Sequence, residues 1–194
     1  KKMCENLFGG RQPEHMKKYR KLLTHLRGKL NIMETKMCQG NWKKIRVETV
    51  PSRAMCLYKR AMLMEGKNKK LTDVQDRIEC RENVIEHVKN GGTFRGQQVY
   101  PHELVCEVRK IEQGSEALEQ IVNAQWANMM AGLEGESGGP SNSFVAMCDV
   151  SGSMEGTPMD VAIGLGIVLS EKQTQEKFKN RILTFTADPQ WHEL

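Results

Sequence analysis

The feature that most constrains how this chain folds is an apolar run that ends in an acidic residue and two alternately spaced serines. Residues 144–148 are apolar, Asp149 follows directly, and Ser151 and Ser153 come two and four positions later. An apolar run of this length predicts a buried strand, and the polar residues after it predict a loop. Asp149 should therefore stand at the carboxyl end of a strand.

A helix and a second strand are predicted after this loop. Pro158 favours a helix start with Thr157 as N-cap and with Asp160 facing the free amides, and the helix should run to about Gln173. Residues 181–186 again have strand character. A strand, helix and strand of this length indicate a parallel pair, and ligands of such sheets bind at the carboxyl ends of the strands.

The side chains of Asp149, Ser151 and Ser153 offer oxygen atoms within five residues. Hard cations such as Mg²⁺ prefer oxygen ligands and use few carboxylates, so the loop predicts a site for Mg²⁺ or Mn²⁺. Two alternatives stay open. The same residues are common in ordinary polar turns, and a serine nucleophile is conceivable, although neither serine lies in a Gly-x-Ser-x-Gly motif.

The chain before this region is predicted to be helical. Apolar residues recur at helical spacing with short polar breaks between the helices, which is the pattern of an α-solenoid or a bundle. A Gly-, Ser- and Pro-rich stretch then separates the two parts. The expected organisation is an all-helical segment over residues 1–133, a linker over 134–142 and an α/β segment over 143–194.

Charge is distributed unevenly along the chain. Residues 1–70 contain 19 Lys and Arg against 5 Glu, whereas residues 71–194 contain 10 Lys and Arg against 19 Asp and Glu. A basic segment is the electrostatic signature of a protein that binds nucleic acid or another polyanion. A solvated helix surface, or a face that docks on the acidic half of the same molecule, also explains the charge and is slightly favoured, because no Arg-Gly or aromatic-interleaved motif accompanies it.

Cysteine spacing and hydropathy bear on location. The six cysteines are dispersed with no Cys-x-x-Cys pair, which favours reduced thiols and an intracellular, cytoplasmic protein. No apolar run reaches the length of a membrane span, and no membrane partner is expected. The chain opens on Lys1 and stops soon after the second predicted strand, so we expect a fragment of a longer protein.

The Asp149-x-Ser151-x-Ser153 pattern resembles the first loop of the metal-ion-dependent adhesion site of von Willebrand factor A domains. The resemblance implies a truncated, Rossmann-like α/β domain in which these three residues hold Mg²⁺, and in which an acidic residue of a protein partner completes the metal shell. In that family a threonine and an aspartate from later loops complete the site, and the chain does not reach those loops.

Further segments resemble an uncharacterised family, mainly from plants and fungi, that joins a helical segment to a von Willebrand A domain. The arrangement is also similar to the Ro autoantigen, whose TROVE-type helical repeats bind small structured RNAs. The segments that carry the resemblance are Tyr19-Arg20-Lys21, Leu26-Arg27, Met37-Cys38, Trp42, residues 50–55, residues 101–105, residues 148–154 and residues 156–159.

Two functions follow from these resemblances. The first is a non-catalytic interaction protein that binds an acidic partner through the metal loop. The alternative is an RNA-binding protein of the Ro type, in which basic residues of the helical segment contact phosphates: Lys17, Lys18, Arg20, Lys21, Arg27, Lys43, Lys44 and Arg46. No base or substrate pocket for an enzyme is indicated.

Overall fold

The structure of the protein is a computed structural model that describes residues 2–10, 12–65, 72–111, 115–133 and 144–194. These residues form the following helices and strands: α1 (Lys2–Phe8), α2 (Pro13–Lys29), α3 (Met33–Cys38), α4 (Ser52–Met62), α5 (Gln75–Lys89), α6 (Pro101–Arg109), α7 (Glu116–Leu133), β1 (Ala146–Asp149), α8 (Thr157–Lys172), β2 (Arg181–Phe185) and β3 (Trp191–Glu193). The predicted linker, residues 134–142, lies outside the described residues.

The described residues of the first part are mainly helical, as predicted, and they include one helix that was not predicted. Helix α1 was not predicted, because seven residues give too few periodic positions to reveal a helix. Helix α5 begins at Gln75, directly after Val74. The Val74 amide donates a hydrogen bond to Thr72 Oγ1 at 3.3 Å, and such local side-chain bonds compete with helical ones.

Most of the helical part packs around one apolar core. Two 3-10 turns between α3 and α4, Trp42–Lys44 and Val47–Thr49, contribute to this core beside the helices. Its fully buried members come from α3, the turns, α4, α5, α7 and the segment between α5 and α6: Met33, Ile45, Val47, Val50, Met55, Met62, Leu63, Cys80, Val84, Phe94, Leu118 and Ile121. Helix α2 contributes no buried residue.

The carboxylate of Asp76, in helix α5, binds the first 3-10 turn, Trp42–Lys44. Its two oxygens accept the backbone amides of Trp42 at 2.6 Å and Lys43 at 3.1 Å. The guanidinium of Arg77 lies 3.7 Å from the centre of the Trp42 ring, in a cation–π contact. Asp76 therefore binds the backbone of the turn, and the adjacent Arg77 contacts its tryptophan side chain.

The sheet contains three strands in the order β1-β2-β3. Strands β1 and β2 are parallel, as predicted, with Ala146 opposite Ile182 and Asp149 opposite Phe185. Strand β3, which was not predicted, pairs antiparallel with β2. The described residues therefore form a small mixed sheet, and they do not show a full Rossmann-like domain. The chain folds back after β2 because the Thr184 amide donates to the Gln190 carbonyl at 2.9 Å.

Helix α8 lies between the sheet and helix α6, and two glycines permit this close packing. A β-carbon at Gly166 would overlap the Cys148 sulfur of β1, and one at Gly164 would lie 3.0 Å from the His102 backbone nitrogen of α6. Val168 of α8 also packs against a second apolar cluster built largely by α6 and α7. The Trp126 indole of α7 donates to Glu171 of α8 at 2.9 Å.

None of the helices formed by the described residues is both long and apolar enough to cross a membrane.

Candidate functional site

Strand β1 carries Asp149 to the edge of the sheet at which both parallel strands end. Asp149 lies opposite Phe185, and the next amide, that of Val150, donates to the Phe185 carbonyl at 3.4 Å. The chain leaves the sheet at Ser151 and makes a 3-10 turn over Gly152–Met154. The acidic residue and both serines therefore stand at the carboxyl end of the strand.

The loop holds its oxygen-bearing side chains close together. Asp149 Oδ1 accepts the backbone amide of Ser151 at 2.9 Å. The hydroxyl oxygens of Ser151 and Ser153 lie 3.1 Å apart. The structure thus brings together the three residues that the sequence singled out, with Asp149 and Ser151 half-buried and Ser153 exposed.

Hydrogen bonding favours the ionised form of the acid at this loop. The Ser151 backbone amide, and then the Ser151 side chain, lower the pKa of Asp149 below its usual value. A carboxylate that resists protonation is a better ligand for a hard cation.

Helix α8 begins directly after the loop, but its start differs from the prediction. Gly156, and not Thr157, is the N-cap, with φ of 91° and ψ of −139°. Backbone with this φ favours glycine, because a β-carbon would be strained there. Asp160 was expected to face the free amides, and its carboxylate instead accepts a hydrogen bond from Arg109 of α6 at 2.6 Å.

A second loop with oxygen-bearing side chains follows β2 at the same edge of the sheet. Thr186 Oγ1 donates to the Asp188 carbonyl at 2.8 Å, and the Asp188 amide is 3.2 Å from Thr186 Oγ1. The sequence predicted Thr186 to be part of the second strand and did not single out Asp188. A threonine and an aspartate just beyond the second parallel strand were the available signal, because parallel strands end at a common edge.

Charged and sulfur ligands are sparse around these loops. Among the described residues, no three His, Cys, Asp or Glu side chains are grouped so that they could hold a metal ion. A cation held by Asp149 would therefore take its other ligands from hydroxyls, water or a bound partner.

The predicted RNA-binding residues fall on two different elements. Five of them are exposed on helix α2: Lys17, Lys18, Arg20, Lys21 and Arg27. No ion pair joins any of these five to an acidic side chain within the described part of the chain. Their charges are thus available to solvent or to a polyanion.

The remaining three residues lie on the 3-10 turns near α5, where acidic side chains neutralise two of them. Lys43 Nζ is 3.3 Å from Glu79, and Arg46 Nε is 2.8 Å from Glu48. Lys44 is exposed, and its carbonyl accepts the Lys36 ammonium at 2.7 Å. Helix α2 is therefore the better candidate for a polyanion surface.

One cationic residue that is not among the predicted RNA-binding residues is fully buried. Lys59 of α4 is inaccessible to solvent, and its Nζ lies 3.4 Å from Glu107 of α6. Arg60 and Lys110 approach the same carboxylate at 3.8 and 3.5 Å. This cluster joins α4 to α6, and we interpret it as structural because its central amine has no route to solvent.

The architecture defines a mainly helical protein with a small mixed sheet and an acidic, serine-containing loop at the sheet edge. The chain belongs to the family described as domain of unknown function DUF2828, whose model matches residues 12–138. Residues 143–194 match the model of a second domain of unknown function, DUF7788.

A curated relative is the uncharacterized protein L728 of Acanthamoeba polyphaga mimivirus. It is 32% identical over 181 residues, which cover 92% of this chain but only 30% of the viral protein. This chain thus spans about a third of the relative that it matches. No solved structure matches this chain.

These matches correct the resemblance drawn from the sequence. The assignment to a plant and fungal family with a TROVE-like segment and a von Willebrand A domain is wrong, since the matching models are DUF2828 and DUF7788 and the relative is viral. The short motifs that suggested it are compatible with more than one family. An Asp-x-Ser-x-Ser loop after a strand requires only a strand end and a polar turn.

Proposed function

We propose that this protein is a non-catalytic interaction protein that binds an acidic partner through a divalent cation held at the Asp149 loop. The observation that carries the proposal is the convergence of an ionised carboxylate and two hydroxyls 3.1 Å apart on one strand-to-helix loop. Oxygen ligands of this kind suit Mg²⁺ or Mn²⁺. A metal with few protein ligands can accept a carboxylate from a partner.

The nearby helix start adds to the favourable environment for a partner carboxylate. Helix α8 begins at Thr157, immediately beyond the loop, and helix N-termini carry partial positive charge. A carboxylate that approaches the metal would also approach this end of α8. Thr186 and Asp188 on the adjacent loop are further oxygen donors that a bound cation could recruit.

The thiols are consistent with a non-catalytic protein of the cytoplasm. All six cysteines are free. Burial raises the pKa of the Cys80 thiol to about 11 and also raises the pKa of Cys56 and Cys148. Protonated, buried thiols are poor nucleophiles. A cytoplasmic location belongs to the proposal, because dispersed cysteines without a Cys-x-x-Cys pair are typical of reduced intracellular proteins.

Isothermal titration calorimetry of Mg²⁺ and Mn²⁺ into the full chain tests the cation site. Asp149→Asn is the informative variant, because asparagine keeps the oxygen that accepts the Ser151 amide but removes the charge. Glu155→Gln is the matched control, since it removes an exposed acid just beyond the loop. We expect binding in the parent and the control and none in Asp149→Asn.

The partner is tested in a second titration with a short glutamate-containing peptide. We expect the peptide to bind only when Mg²⁺ is present and to be released by a chelator. Absence of cation binding to the parent, or equal binding to Asp149→Asn, would overturn the proposal.

The second candidate function is RNA binding through helix α2. The observation that favours it is the set of exposed cations on α2 without acidic partners among the described residues. Binding of an RNA hairpin should weaken steeply with salt, because phosphate contacts release counterions. Lys17→Gln with Lys21→Gln should reduce both the affinity and the salt slope, and Lys43→Gln, which removes a paired cation, should change them less.

A further inference from the structure

Helix α2 exposes an apolar row as well as a basic surface. None of its residues is buried, and it packs against the short helix α1. Leu22 and Leu26 are 36% and 42% exposed, and Leu30, at the end of the helix, is 72% exposed. Residues four apart lie on one side of a helix, so the three leucines form a single row along α2.

Basic residues border this apolar side on both flanks. Helical spacing places Lys18 and Lys29 beside the leucine row, and Arg20 and Arg27 along the opposite border of the apolar side. Glu14 is the single acidic residue of the helix. Nucleic acid would use the cations but would leave the leucine row exposed to water.

We propose that α2 lies on the surface of an anionic lipid bilayer, with its leucines at the acyl boundary and its flanking cations on the headgroups. Charge complementarity identifies the occupant, since a basic helix with an exposed leucine row matches a surface that is negative outside and apolar beneath. An interfacial helix need not span the bilayer. The proposal departs from the sequence-based expectation of no membrane partner, and it is independent of the Asp149 loop.

Vesicle co-sedimentation of the full chain tests the proposal. The vesicles contain phosphatidylcholine alone or phosphatidylcholine with about one-third phosphatidylserine. We expect binding to the anionic vesicles and little to the neutral ones. The double variant Leu22→Gln, Leu26→Gln keeps every charge, and glutamine is a good helix former. Because it removes two apolar side chains from the bilayer contact, it should weaken binding about ten-fold or more.

Matched variants separate the apolar and the electrostatic contributions. Leu57→Gln removes a leucine that is 74% exposed on α4, and it should leave vesicle binding unchanged. Lys18→Gln should weaken binding about five-fold, since a juxtamembrane cation contributes about 1 kcal/mol. Circular dichroism melts of each variant check that the fold is retained, which we expect because all four replaced side chains lie at the surface.

Three outcomes would overturn the proposal. The first is equal binding of the parent and the Leu22→Gln, Leu26→Gln variant to anionic vesicles, which would leave charge alone as the cause. The second is failure of the parent to bind vesicles while it binds an RNA hairpin, which would assign α2 to nucleic acid. The third is failure to bind either.

Discussion

The guanidinium of Arg109, the last residue of α6, donates a hydrogen bond of 2.6 Å to the buried carboxylate of Asp160 in the first turn of α8. This bond connects the helical part to the helix that starts at the Asp149 loop. The carboxylate in turn raises the pKa of Arg109 above its ordinary value. The loop is therefore anchored through α8 to helix α6.

Replacement of Arg109 by alanine should destabilise the protein. Asp160 is 5% exposed and would lose a charged donor, whereas Arg109 is half-exposed, so we expect a loss of about 1–2 kcal/mol in the free energy of unfolding. Urea denaturation measures it. Arg46→Ala removes the exposed Arg46–Glu48 pair and should cost less than about 1 kcal/mol. Equal losses would contradict a special role for the Arg109 bond.

Gly166→Ala should destabilise the contact between α8 and β1. The new methyl group would overlap Cys148 Sγ, and overpacking of this kind costs about 1–3 kcal/mol. Gly28→Ala is the matched control, since it adds the same methyl group to α2 in open space and should stabilise by up to about 1 kcal/mol.

A double-mutant cycle identifies the cause of that loss. Cys148→Ala removes the sulfur with which the methyl group collides, so Gly166→Ala should cost less in that background than in the parent. Additive effects of the two substitutions would show that the sulfur is not the obstacle.

Much of the fold could be predicted, and the parts that could not depend on contacts distant in sequence. Helix α2 and the parallel pair β1 and β2 follow from local periodicity and turn residues. Strand β3 is three residues long and is defined by its pairing with β2. The bond between Arg109 and Asp160 joins residues 51 positions apart, which no local pattern reveals.

The candidate site also has a part that the local sequence predicts and a part that it does not. That Asp149 ends a strand and that Ser151 and Ser153 follow in a loop could be derived from adjacent residues. Thr186 was predicted to belong to the second strand, and it lies in the following loop with Asp188 because β2 ends at Phe185. The sequence likewise could not show that Glu79, which is distant along the chain, neutralises Lys43.

Asp76→Ala should loosen the turn that carries Trp42. Both backbone amides held by Asp76 would lose their acceptor, and we expect a cost of about 1–3 kcal/mol. The Trp42 emission should shift in the same variant because its ring packs beside Arg77. Asp73→Ala, an exposed acid three residues earlier, should change neither quantity.

The stabilisation contributed by Asp149 should depend on pH. Because its pKa is lowered in the folded protein, this stabilisation is fully present above the usual carboxyl pKa and is lost as the pH falls through the lowered value. Urea midpoints of the parent and of Asp149→Asn should therefore differ most above about pH 5 and converge as the pH is lowered from about 4 towards about 2. A difference that stays constant over this range would contradict the pKa assignment.

The most direct test of the cation site is nuclear magnetic resonance of the ¹⁵N-labelled full chain during addition of Mn²⁺, which broadens nearby amide signals. We predict that the amides of Val150, Ser151 and Ser153 broaden first, that those of Thr186 and Asp188 follow, and that Asp149→Asn abolishes the effect. Broadening that begins elsewhere, or that persists unchanged in Asp149→Asn, would contradict a cation site at this loop.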